Sequence, residues 1–123
     1  GKAEMFLDFE DRCTLFDTFI LCRFYRDFYP WEELSALVSM ATGTNLSKAA
    51  LSETAARVTD LTRRFNLQEG LTSADDFLPN RLLTEKLPDG SGITEAELTQ
   101  LVKDYYRLRG WNEKGIPAAE SKE

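Results

Sequence analysis

The sequence contains no histidine, which removes the commonest general base and the commonest zinc ligand. Only two cysteines are present, Cys13 and Cys22. On a single helix, their nine-residue separation at about 1.5 Å per residue would hold them about 13 Å apart, well beyond disulfide reach. Apolar runs are short and broken by charge, so no spanning segment is expected, and no basic start leads into an apolar stretch to form a signal peptide. Cationic runs are also missing: Lys and Arg total 15 against 21 Asp and Glu, a net charge of -6, and nothing exceeds the pair Arg63-Arg64. A phosphate backbone would find no footprint. We therefore expect a cytoplasmic protein that binds neither nucleic acid nor membrane.

What is present is helical patterning. A chain of 123 residues fits one domain and can bury about two thirds of its unfolded surface, enough for a core without staples. Met5, Phe6, Phe9, Cys13, Phe16 and Ile20 recur at steps of three and four, predicting one buried stripe on a first helix from Lys2 to about Tyr25. Pro30 before Trp31-Glu32-Glu33 opens a second helix, with Leu34, Leu37, Val38 and Ala41 in period and Gly43 at its C′ position. Ser47 can cap a third, stapled by Leu46 and Leu51, with Leu51, Ala55, Val58, Leu61 and Phe65 on its buried face and an end near Asn66.

Between Leu67 and Ile93, glycines and prolines interrupt every period, which predicts a long loop carrying one short helix near Asn80 to Leu83. Thr94 and Glu97 form a capping box for a last helix that Gly110 closes. No alternating run predicts a sheet. The expected fold is all-α, an irregular bundle of four main helices and a short one over residues 1–117, followed by a disordered tail over 118–123.

Chemistry is harder to read. Cys13 lies on the first stripe, where a free cysteine acts as a small hydrophobe. Cys22, about 200° around a continuous helix from Ile20, should point off that stripe, where it is either an ordinary thiol or a ligand. Asp17 reads as a solvated acid. Asp75-Asp76 reads as a cap for the short helix rather than a carboxylate pair. Arg64 and Glu69 are placed to pair across a turn, and Arg109 to stack on Trp111 where the C-terminal segment anchors to the core.

Five strings nevertheless stand in a distinctive order: Asp17-Thr18-Phe19-Ile20-Leu21-Cys22, Arg64-Phe65-Asn66 to Glu69-Gly70, Asp75-Asp76-Phe77-Leu78-Pro79-Asn80-Arg81, Tyr105-Tyr106-Arg107-Leu108-Arg109-Gly110-Trp111, and Gly115-Ile116-Pro117. Together they resemble the C-terminal helical domain of the tungsten-containing aldehyde:ferredoxin oxidoreductases, from near Gly1 to Pro117. In that family a D-x-x-G-L-C string supplies, through its cysteine, one ligand of a [4Fe-4S] cluster, and its aspartate and backbone help hold a pterin of the tungsten cofactor. The resemblance implies Cys22 as the cluster ligand and Asp17, Ile20 and Leu21 as pterin contacts. Ile20 stands where the family string has glycine.

The resemblance further implies an enzyme that oxidises aldehydes to carboxylic acids through a tungsten bis-pterin centre and the cluster, with ferredoxin as electron acceptor. This chain would then be a part of it, as its opening Gly-Lys-Ala also suggests, with the N-terminal domains of the same polypeptide as partners. No catalytic residue is expected here, and the part alone should hold no cofactor and be inactive. A different reading is a non-catalytic acidic helical module that docks a basic partner.

Overall fold

The computed structural model describes residues 1–119 of the chain. Five α-helices are found, α1 (Lys2–Thr18), α2 (Trp31–Thr42), α3 (Lys48–Gln68), α4 (Asn80–Thr84) and α5 (Glu95–Arg109), with 3₁₀ helices at Arg23–Phe28 and Ser73–Asp75. Among the described residues there is no strand, so the fold is all-α, with four long helices and one short one. No helix among them is long and apolar enough to cross a membrane. Of the tail expected over 118–123, residues 120–123 lie outside the described residues. The chain divides into two compact units, one of Met5–Thr62 and the other of residues 1–4 with 63–119.

In the first unit, Leu15, Phe16, Trp31, Leu34, Val38, Leu51 and Ala55 form the core, with Phe19, Leu21, Tyr29 and Leu46 packed against it. Two of the expected devices are in place. Gly43 closes α2 in the left-handed region at φ 70, its N–H donating to the Ser39 carbonyl. At the start of α3 the Ala50 N–H donates to Ser47 Oγ at 3.3 Å, while Leu46 and Leu51 both join the core. Asp11 is buried and accepts from Ser52 Oγ at 3.1 Å.

Two expectations for α1 need correction. The helix ends at Thr18 rather than near Tyr25, because the chain turns into a left-handed residue at Ile20. Its stripe is buried only at Cys13 and Phe16, with Leu15 beside them, whereas Met5, Phe6, Phe9 and Ile20 are exposed. On α3, Leu61 and Phe65 are likewise exposed, and the helix continues to Gln68.

In the second unit, the last helix starts as expected: the Thr94 N–H donates to Glu97 Oε2 at 2.8 Å and the Glu97 N–H returns to Thr94 Oγ1 at 3.2 Å. Both groups are thereby spared an unpaired helix terminus. The two carboxylates before α4 do not cap it. Asp75 accepts from the Thr72 N–H at 2.8 Å, completing a capping box at the start of the 3₁₀ helix Ser73–Asp75, while Asp76 turns to Arg63.

Candidate functional site

The last turn of α1, which holds Asp17, and the segment after it, which holds Ile20, Leu21 and Cys22, carry the four residues singled out as a site. The Leu21 N–H donates to the Phe16 carbonyl at 2.8 Å and the Ile20 N–H to the Asp17 carbonyl at 3.1 Å, the paired closure of a Schellman turn with Ile20 at C′. The same pair of bonds ends α3, from Leu71 to Asn66 and from Gly70 to Leu67, and ends α5, from Trp111 to Tyr106 and from Gly110 to Arg107. Those two turns place glycine at the left-handed position, with φ 97 and 70. Ile20 adopts φ 59 with a β-branched side chain, and it is the one non-glycine residue with positive φ among those described. Left-handed backbone costs such a residue roughly 1–2 kcal/mol.

Asp17 is exposed and paired in parallel with Arg23, whose Nε donates to Oδ1 at 2.8 Å and whose Nη2 donates to Oδ2. That hydrogen bond holds the Asp17 carboxyl below the usual aspartate range. Each carboxylate oxygen keeps a further lone pair for another donor. Leu21 packs against the core, the hydrophobic contact that accompanies this type of turn. Ile20 is 91% exposed. Cys22 follows in extended conformation (φ -71, ψ 119), immediately before the 3₁₀ helix, and its thiol is free and exposed. The helix-based direction expected for Cys22 therefore does not apply, since α1 has already ended; its exposure comes from the turn. Cys13 is buried, as its place on the stripe implied.

The arrangement offers a metal one thiolate. Among the described residues no three His, Cys, Asp or Glu side chains are grouped to hold a metal ion. The N–H groups of Phe19, Ile20 and Leu21 are already donated to the carbonyls of residues 15, 17 and 16. Beside these bonds the turn presents the Asp17 carboxylate and the exposed Ile20 side chain.

A second cluster, in residues 63–119, was not visible in the sequence. Arg63 is buried and donates from Nε to the Gly115 carbonyl at 2.9 Å, and from Nη1 and Nη2 to Asp76 at 2.8 and 2.5 Å. The Tyr106 hydroxyl also donates to Asp76. The Arg63 guanidinium lies 5.3 Å from the Trp111 ring centre and 5.9 Å from that of Tyr106. Burial and the neighbouring Asp76 carboxylate push the Tyr106 hydroxyl up to about 12. Burial works against the charge of Arg63, but its bonds to Asp76 outweigh this and raise its pKa. Arg109 lies over the Tyr105 ring, and Arg64 donates to the Ala118 carbonyl in place of the expected pairing with Glu69. Arg63, Asp76, Tyr106 and the Gly115 carbonyl are bonded to one another within the fold, so the cluster is a structural clasp. A strand of charge at the end of a helix reads as solvated, and only neutralising partners far along the chain reveal otherwise.

The model of aldehyde ferredoxin oxidoreductase domains 2 and 3 matches residues 1–123. The chain is 34% identical to the tungsten-containing aldehyde ferredoxin oxidoreductase of Pyrococcus furiosus, covering 99% of this chain and 21% of that protein. The corresponding proteins of Pyrococcus abyssi and Thermococcus kodakarensis are 33% and 32% identical over the same shares. The chain thus spans about a fifth of the length of the curated relatives it matches. With an all-α fold and a family-model match along its whole length, the chain belongs to the aldehyde ferredoxin oxidoreductase family and corresponds to its C-terminal domains.

Proposed function

We propose that this chain is the C-terminal part of a cytoplasmic oxidoreductase that converts an aldehyde and water to a carboxylic acid and passes two electrons to ferredoxin. Within it, Cys22 ligates a [4Fe-4S] cluster and the Asp17 to Leu21 turn contacts a tungsten bis-pterin. The tungsten centre supplies the oxidation chemistry when bound, with the cluster as the electron relay. Family membership favours this reading over an acidic interaction module.

The observation that carries it is the free, exposed Cys22 thiol, held at the exit of a fully hydrogen-bonded turn. A rigid exit fixes where the thiolate stands, and a soft thiolate is the ligand iron-sulfur clusters take. Asp17, kept ionised by Arg23, can accept a hydrogen bond from a pterin N–H without losing its partner. Leu21 anchors the turn to the core. Ile20 meets the cofactor, in this reading, through its side chain in place of bare backbone.

The test is Cys22→Ser beside Cys13→Ser in the full-length protein, measured by iron content and the reduced-cluster paramagnetic resonance signal. We expect Cys22→Ser to lose or alter the cluster while Cys13→Ser disturbs packing only. An unchanged cluster in Cys22→Ser would refute the assignment.

A further inference from the structure

The 3₁₀ helix Arg23–Phe28 contains three aromatic residues and buries none of its side chains. Phe24 is 89% exposed and Phe28 72%, and the ring of the exposed Tyr25 lies 6.1 Å from that of Phe28. With Ile20, these are four large apolar side chains within nine residues, flanking a free thiol. Scattered exposed hydrophobes are ordinary, but four exposed apolar side chains within nine residues, two of them in ring contact, mark a stretch that something covers.

The surrounding charges narrow what that is. Arg23 is spoken for by Asp17, and Arg26 lies 5.7 Å from the Phe9 ring centre and 3.8 Å from Asp27. The cations are tied down at the edges, which leaves an apolar seat with little to attract a charged carrier. Cluster chemistry supplies the occupant. A cubane is held by about four thiolates, and the other cysteine of this chain, Cys13, is buried. The remaining ligands must therefore arrive on another segment, which has to approach Cys22 closely and so lie over its neighbours. The relatives have the length for such a segment, since this chain covers 21% of theirs.

We propose that Ile20, Phe24, Tyr25 and Phe28 form the seat for the thiolate-bearing segment of the same polypeptide, sealing the cluster side of Cys22 from water. This rests on the reading of Cys22 as a ligand. An apolar seal disfavours the more highly charged reduced cluster, so it also sets the potential lower than a wet site would.

Amide hydrogen exchange over residues 19–28 should be compared between this chain and the full-length protein, where we expect it to slow about tenfold or more. Equal rates would overturn the seat. In the full-length protein, Phe24→Ser with Phe28→Ser should keep its iron but raise the cluster potential and restore fast exchange. Both rings are exposed in this chain, so its own denaturation midpoint should not move. A retained cluster with unchanged potential and exchange would also overturn the proposal. Cys22→Ser separates the two readings: an unchanged cluster there, in iron content and paramagnetic resonance signal, sinks the ligand assignment, whereas equal exchange in the two wild-type forms sinks the seat even if that variant loses or alters its cluster.

Discussion

At residue scale, Ile20 is strained without compensation from its own side chain, which is almost wholly in water. Ile20→Gly should relieve the left-handed penalty and lose little packing, with part of the gain returned as unfolded-chain entropy. The net expectation is a stabilisation of about 1 kcal/mol in a urea titration. A loss would mean that the side chain packs in solution. Gly115 presents the opposite case. It has φ 67, and a Cβ there would lie 2.6 Å from Arg63 Nη2 and 2.6 Å from Tyr106 Cζ. Gly115→Ala should therefore cost about 3 kcal/mol or more, by strain and overpacking together. A change near 0.5 kcal/mol would show that the clasp yields easily. The replacement at Ile20 is legible in the sequence, through the family string, but its conformation is not. Isoleucine gives no local signal for φ > 0, and only the Schellman bonds to Phe16 and Asp17 disclose it.

At element scale, the capping box of α5 is local and was legible. Thr94→Ala should lower stability by about 1 kcal/mol, because the Glu97 N–H loses its acceptor. Thr94→Ser should restore most of it, and equal midpoints for the alanine variant and wild type would mean that water replaces the cap. Helix starts and glycine ends were readable because a cap and its partner sit within a few residues. The end of α1 was not, since no glycine or proline announces it. Periodicity marked the face of α1 through Met5, Phe6 and Phe9 correctly as one face, yet those residues are exposed. A period of 3.6 says which residues share a side of a helix; it is silent on whether the partner for that side lies in the same stretch of chain.

At the scale of the whole molecule, pH acts on the two units through different groups. Asp17, and likewise Asp75 and Glu97 at their caps, have lowered pKa values from hydrogen bonds. What they contribute is present above the ordinary carboxyl range and lost as pH falls through the folded values. Tyr106 works at the other limit. An unfolded tyrosine ionises near 10 and the folded one near 12, so its contribution is complete below pH 10 and disappears between the two. The loss should be on the order of 2 kcal/mol, confined to the transition of residues 63–119. Denaturant midpoints at about pH 9 and pH 11.5 measure it, and Tyr106→Phe should flatten the decline. An equally steep decline in that variant would assign the alkaline loss elsewhere. Arg63 joins partners 13 and 52 residues away, at Asp76 and Gly115, with Tyr106 and Asp76 spanning a further 30. Helices α3 and α5 can form from nearest neighbours, but the stretch between them has no regular structure long enough to order alone. Its order must wait for chain ends distant in sequence to meet, so this unit should acquire its final shape late in folding, at a pace governed by diffusion of a long loop rather than by helix growth.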